Sequence, residues 1–523
     1  MKSLIIIISI CLSSFLGNSQ CDELTELNLG QSTIYGFNIQ SPRSMVTDND
    51  GNIYIAGGGF IAKIDASGNF IWEQQLSIGS QTINIDNLGN IYVAGTFQNT
   101  QDFDYSWNNE ALTSIGLYDA FILKLENDGT FQWVKGLHGG GDQSIEKIEI
   151  DQYDHIYIHV KCGYYPIPFT DPAVVDFDPD ISNEYNIEIP GGYSHYILCL
   201  DQNGTFKWTH EFPRIIDIEI DLAGGINLTG TYSSSFDFDP SNNVEIPLET
   251  NGAYILDLSS IGDLNWFKRF GDINGLPNPI DLKIDNNGDL LFTARYFVDT
   301  DVDPGTSQFI LEYEILNSNN NENQFILKLD SNGDFLWSYP VFFGDKGFMA
   351  ITNNSNNEII LIGSFINTID FDLSQGVYEV ENTKNYDQGF ILKMNADGSF
   401  KCVGILDEDI DASSWRYEID LLENDSILVR NDKQFYKMGA TTNTFINEEV
   451  FVNKQINLFP NPSNTGLIQL NTSIANSDIN VYSIEGKQIN FTQSNNVIDI
   501  SDNEKGVYLI SIDGVVTRYV YQD

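Results

Sequence analysis

The sequence predicts an all-β chain: a seven-bladed β-propeller followed by a small C-terminal β-sandwich. Three observations carry this. One phrase of two hairpins recurs six times, most clearly at Ala120–Trp133 (AFILKLENDGTFQW), Gln324–Trp337 (QFILKLDSNGDFLW) and Gly389–Cys402 (GFILKMNADGSFKC). A degraded seventh copy follows at Arg416–Met438. No long stretch shows helical periodicity, and Asn, Asp and Gly punctuate the strands where tight hairpins need positive φ. Past Val450 the pattern changes to short alternating strands behind a proline-broken entry.

Taken from the start, residues 1–19 read as a secretory signal. Lys2 supplies the positive end, and Leu4–Leu16 is an apolar run too short to span a bilayer comfortably. No later stretch is long and apolar enough for a transmembrane helix. The chain carries 26 Lys and Arg against 74 Asp and Glu, a formal charge of −48. A surface this acidic repels phosphate backbones, so nucleic acid is not an expected partner. Beyond the signal lie Cys21, Cys162, Cys199 and Cys402. Cys162 and Cys199 fall in one repeat and are either a bridge or two buried thiols.

Residues 24–445 hold the repeat. In the second unit, strands are expected at Thr82–Asp86, Ile91–Phe97, Ala120–Leu125 and Thr130–Leu137. Four strands per unit and seven units describe radial blades, since a unit that cannot bury its own faces must stack on its neighbours. Trp closes the phrase at positions 72, 133, 208, 266 and 337, with Cys402 in the sixth unit. Ring closure needs one more outer strand, from either Leu24–Leu29 or Thr444–Val450. The turn-and-strand pattern Asp86-x-x-Gly89-Asn90-Ile91-Tyr92-Val93-Ala94-Gly95, repeated from Asp48 to Gly57, resembles the β-propeller repeat of secreted bacterial proteins. That resemblance implies a fold and no particular activity.

Five units carry an insertion between their second and third strands, each with an acidic alternation: Asp102/Asp104, Asp176/Asp178, Asp237/Asp239, Asp301/Asp303 and Asp370/Asp372. Alternation puts both carboxylates on one face and the apolar residue between them on the other. In ordinary propeller topology these insertions share one face of the ring. Calcium favours Asp-rich loops, and Asp299-x-Asp301-x-Asp303-x-Gly305 has the spacing of the first half of a calcium loop. It lacks the bidentate Glu at the twelfth position, and Pro304 interrupts it. The competing reading is a structural hairpin whose Asp side chains accept backbone N–H groups. Aromatic residues of the insertions, Tyr105, Trp107, Tyr164, Tyr165 and Tyr193, suit stacking on a glycan and equally suit covering the core.

Motifs for a serine nucleophile, a phosphate loop or a zinc protease are absent. All five histidines (His138, His155, His159, His195, His210) lie in or beside the third unit, without the spacing of a zinc ligand pair. No unit carries an acid pair that sets it apart, which favours a binding module for a glycan or other surface ligand over a polysaccharide hydrolase or lyase. A purely structural surface protein is the third reading.

Residues 446–456 read as a linker and 457–523 as the terminal module. Its markers are Phe459-Pro460-Asn461-Pro462, Gly466, Val481-Tyr482 with Gly486-Lys487, and Lys505-Gly506-Val507-Tyr508-Leu509. In order and spacing these resemble the type A C-terminal sorting domain of the type IX secretion system. The resemblance implies passage through the periplasm and across the outer membrane of a Gram-negative bacterium. It also implies handling by the type IX machinery and cleavage by its sortase-like peptidase.

Overall fold

A computed structural model describes residues 42–438 apart from 67–69, 77–78, 105–109, 165–172, 181, 191, 234–235, 241–250, 272–276, 315–322, 342–346, 375, 385–386, 410–416, 422–426 and 432–434. In the C-terminal part it describes 458–459, 467–470, 479–483, 487–494, 497–503, 505–512 and 515–521. The expected signal, both expected closing strands and the linker lie outside these residues. The chain divides into two compact units, with the second taking the C-terminal residues from Thr444.

The first unit is a ring of seven antiparallel sheets. Six have four strands in sequence order, and the seventh shows three among the described residues. The second sheet runs Gly79–Ile85, Ile91–Phe97, Asp119–Leu125 and Phe131–Gly139, within a few residues of the expected boundaries. The innermost strands follow one another round the ring: Pro42–Thr47, Gly79–Ile85, Asp142–Ile150, Arg214–Ile220, Asn278–Ile284, Gly347–Asn353 and Tyr417–Leu421. The last returns to the first, where Thr47 Oγ1 donates to Asp420 Oδ2 at 3.1 Å. The protein is therefore an all-β, seven-bladed propeller.

Local chemistry explains each blade. In the first turn of a blade an Asp accepts two backbone N–H groups, as Asp86 Oδ1 does from Leu88 and Asn90 at 3.0 and 2.9 Å. Asp48, Asp151, Asp221 and Asp285 repeat this, and Asn354 takes the role in the sixth blade. Third strands such as Asp119–Leu125 and Asn323–Leu329 are buried along their whole length. That is why Phe-Ile-Leu appears as an unbroken apolar run rather than an alternation. The Trp that ends the phrase staples blades together. Trp208 Nε1 donates to Ser260 O at 3.2 Å and Trp266 Nε1 to Ser331 O at 3.1 Å, each in the next blade's second turn. The turn glycine above it needs φ near +87° at Gly262, and a Cβ there would stand 3.0 Å from the Trp208 ring. Apolar layers fill the space between successive blades.

One feature was not expected, and one open alternative is resolved. The insertion of the third blade, Ala173–Asp176 with Asn186–Ile189, pairs onto the outer strand of the second blade and widens that sheet to six strands. Cys162 and Cys199 do not bridge; both are free and buried. They sit on paired strands but at opposite ends, with Cys162 facing Ser194 and Cys199 facing Tyr157. Five residues of strand is ~16 Å, beyond the ~7 Å a disulfide spans between Cα atoms. Cys402 is disulfide-bonded.

The second unit holds two sheets. One orders Leu458–Phe459, Leu467–Leu470, Val497–Asp499 and Thr492–Ser494; the other orders Ile479–Ser483, Gly506–Ile512 and Val515–Tyr521. Ile468 and Ile498 from the first sheet meet Val481, Tyr508 and Ile510 from the second in one core, which makes a sandwich.

Candidate functional site

The five acidic alternations form one recurring device. Phe103, Phe177, Phe238, Val302 and Phe371 are fully buried. Four of them meet the ring that opens their own blade's third strand: Phe103 on Phe121, Phe177 on Tyr196, Phe238 on Tyr254 and Phe371 on Phe390, with centroids 4.7–5.0 Å apart. The first Asp of each pair works on backbone. Asp102 Oδ1 accepts from Asp104 N and, eight residues on, from Glu110 N. Asp176 does the same with Asp178 and Tyr185, Asp301 with Asp303 and Phe309, and Asp370 with Asp372 and Tyr378. Asp237 accepts from Asp239 N at 3.1 Å. Asp299 Oδ1 closes the base of its insertion on Tyr313 N at 2.8 Å. Of the second carboxylates, Asp104 and Asp239 are buried, whereas Asp178, Asp303 and Asp372 accept from the turn beyond them.

A cleft of ≈ 390 Å³ opens between the third and fourth blades. It is lined by Ile187, Tyr196, His210, Glu211, Asp237 and Asp239, among others. Glu211 lies near the end of the outer strand of the third blade, opposite Tyr196, and the two Asp come from the fourth blade's insertion. Burial holds the His210 imidazole below its usual range, against the pull of Asp263. The Tyr196 hydroxyl is buried with no hydrogen-bond partner. At the same end of the third sheet Tyr193 is 58% exposed, and Lys161 Nζ rides 4.3 Å above its ring. Tyr105, Trp107 and Tyr165 lie outside the described residues, as does the side chain of Tyr164. The sorting residues Pro460, Asn461, Pro462, Gly466 and Gly486 also lie outside them, while Phe459, Gly506 and Tyr508 sit on strands.

The histidines of the third blade do not converge. His155 Nδ1 bonds Asp151 Oδ2 at 2.8 Å in the turn. His159 Nε2 meets His195 Nδ1 at 2.9 Å, so each ring satisfies the other. Burial lowers His159 to about 3 and His195 to about 4, and raises both Cys162 and Cys199 to about 12. Among the described residues no three His, Cys, Asp or Glu side chains gather as a metal cluster.

Sequence reasoning missed a charged lining on the innermost strands of the third, fourth and fifth blades. Lys147 Nζ meets Asp217 Oδ1 at 2.8 Å and Glu219 Oε1 at 2.9 Å, and Lys283 also bonds Glu219. Burial, the Asp217 charge beside it and their shared hydrogen bond hold Asp281 well above the usual carboxylate range. Asp217 is lowered; burial opposes that shift, and the Lys147 and Lys283 charges overcome it. These carboxylates also accept backbone N–H groups across blades, Leu282 to Asp217 at 3.1 Å and Ile351 to Asp281 at 2.9 Å, so they clamp inner strands together. The signal was present as Lys-Ile-Glu, Asp-Ile-Glu and Asp-Leu-Lys at one register of three units.

The fold defines a β-propeller followed by a terminal sandwich. Residues 457–521 match the family model of the secretion system C-terminal sorting domain. The protein is therefore secreted or displayed at the surface of a Gram-negative bacterium, and its tail engages the type IX secretion machinery. No curated protein matches the chain. Among solved structures it is similar to BamB from Moraxella catarrhalis, at 10% identity and TM-score 0.36, covering 76% of this chain and 96% of that one. It is also similar to an inactive virginiamycin B lyase from Staphylococcus aureus, at 11% identity and TM-score 0.39, covering 77% and 97%. Regucalcin from Agrobacterium tumefaciens matches at 8% identity and TM-score 0.30, covering 63% and 84%.

Proposed function

We propose that the propeller is a binding module that holds a glycan or another polar surface ligand on its insertion face. The observation that carries this is the cleft between the third and fourth blades, with Glu211, Asp237 and Asp239 on its wall. Carboxylates there suit hydroxyl groups, which donate to them, and the exposed Tyr193 offers a flat apolar surface at the same end of the blade. The N-terminal signal takes the chain to the periplasm, and the sortase-like peptidase removes the terminal sandwich after outer-membrane passage. Calcium at the Asp pairs belongs to the same proposal. Backbone N–H groups already occupy the first carboxylate of each pair, so any ion draws on its remaining oxygens.

The test is a broad glycan array probed with the purified full chain, in calcium and in chelator. Binding that falls at least tenfold in Glu211→Gln and Asp237→Asn supports the cleft. Loss in chelator adds the metal. Release of sugar fragments by the wild type would replace binding with turnover, and no binding in either condition would leave a structural surface protein.

A further inference from the structure

One rung of each blade runs across all four strands just above its turns. In the second blade it reads Asn84, Tyr92, Lys124, Trp133. In the fifth it reads Lys283, Leu291, Lys328, Trp337. The third-strand Lys has a fixed job. Lys328 Nζ lies 2.7 Å from the turn carboxylate Asp285 and 3.3 Å from Ala396 O in the next blade. Lys124 sits 3.6 Å from Asp86 and donates to Gln202 O at 3.2 Å. A buried ammonium thus neutralises a turn carboxylate and meets a carbonyl across the blade junction.

The fourth blade breaks this pattern at three positions together. Its rung reads Glu219, Asn227, Asp257, Trp266, so the Lys has become Asp257, and the buried amide Asn227 stands where the second blade has Tyr92 and the fifth Leu291. Gly225 stands where Asn52, Asn90 and His155 bond the turn carboxylate of their blades. Asp221 keeps its two backbone bonds through Oδ1, but its Oδ2 has neither the Tyr hydroxyl nor the amide that Asp86 has. Asp257 Oδ2 accepts from Asn265 at 2.8 Å, whereas Asp257 Oδ1 is buried with no hydrogen bond. Asn227 is 3% exposed, and its Oδ1 also lacks a partner. Ser331 holds the turn position of Gln202 and Ala396, so its carbonyl faces the same junction. The third blade also lacks the Lys, with Cys199 there, but His155 meets its turn carboxylate. Among the described residues, only the fourth blade sets an acid at the third-strand position of this rung, within reach of its turn carboxylate's charge and with no cationic side chain bonded to either.

We propose that the fourth blade binds a divalent cation of the calcium class at Asp221, Asp257 and Asn227, in the place where other blades hold a lysine ammonium. The donor set is all oxygen: two carboxylates that balance the charge, one amide carbonyl and the Ser331 main chain, with water completing the shell. An unpaired buried carboxylate and an orphaned amide oxygen are each costly, and one cation relieves both. This site is separate from the insertion pairs and opens on the turn side of the blade.

The experiment uses the purified full chain and terbium as a luminescent stand-in for calcium, excited through tryptophan. Trp266 is the rung neighbour of Asp257. Wild type should give sensitised emission that calcium displaces, and calorimetry should count one more calcium in wild type than in Asp257→Lys. That variant restores the lysine of the other blades, so it should fold and melt no lower than wild type in chelator. Asp257→Asn and Asn227→Leu should each weaken terbium at least tenfold, and they serve if the lysine does not fold. Equal calcium stoichiometry in wild type and Asp257→Lys overturns the site. So does a wild type without terbium uptake whose stability only falls as pH rises towards 6, since a proton on Asp257 would then replace the ion.

Discussion

The Phe at the centre of each acidic alternation should be a core residue, although its neighbours suggest a surface loop. Phe103→Ala tests this. The ring is fully buried and touches Phe97 at 5.6 Å and Phe121 at 5.0 Å. Burying a Phe is worth about 1.5–3 kcal/mol by transfer alone, and the cavity left in a packed interface raises the cost to about 3–5 kcal/mol. At about 2 cal/mol/K of unfolding entropy per residue, a cooperative unit of this size should melt ~3–5 °C lower. Asp102→Asn is the control. An amide oxygen still accepts from Asp104 and Glu110, so its loss should stay below ~1 kcal/mol, or about 1 °C. Calorimetry on both variants reads the contrast. If Phe103→Ala melts within 1 °C of wild type, the insertion is not anchored in the blade core and the device described above is wrong.

Other expectations follow from the same geometry. Trp208→Phe keeps an aromatic ring but removes the N–H bond to Ser260 O; a loss of about 1 kcal/mol should appear, measured against Trp208→Ala at about 3–5 kcal/mol. His159 and His195 are held neutral in the fold, so the unfolded chain binds more protons below its imidazole pKa of about 6.5. Their contribution is present above that pH and is lost as pH falls from 6.5 towards 4. The melting temperature should drop over this range less steeply in a His159→Asn/His195→Asn double variant than in wild type, and equal slopes would refute the assignment. Deleting residues 451–523 should leave the protein in the periplasm; fractionation that finds the truncated chain at the surface would overturn the role of the tail.

Fold was legible because the same physics was written into the chain many times. Asp and Gly at fixed offsets close turns, unbroken apolar runs mark strands buried on both faces, and a terminal Trp marks the blade junction. Six near-copies made each sign reinforce the others. The insertion Asp pairs were legible as a pattern, but their role needed coordinates, since an Asp that accepts a backbone N–H eight residues away looks like any acidic loop. The choice between a bridge and two buried thiols stayed open for a similar reason: sequence placed Cys162 and Cys199 on neighbouring strands and gave no register. The innermost charges were missed because attention to the repeat favours what units share. Lys147 stands where the next two units have Asp217 and Asp281, and only the ring brings these charges together. Asp257 shows the same lesson, since its meaning lies in the lysine it replaces.

The insertion clamp has a consequence for how such a chain can change over generations. The first Asp seizes a backbone N–H eight or nine residues further on, and the buried residue beside it locks the base into the blade. Everything between those two points is an excursion whose ends are fixed without its help. Side chains at the tip can be exchanged with little effect on folding, so mutations there are free to explore new ligands. Four such excursions among the described residues of one ring make a display scaffold, in which recognition can drift while the architecture stays constant.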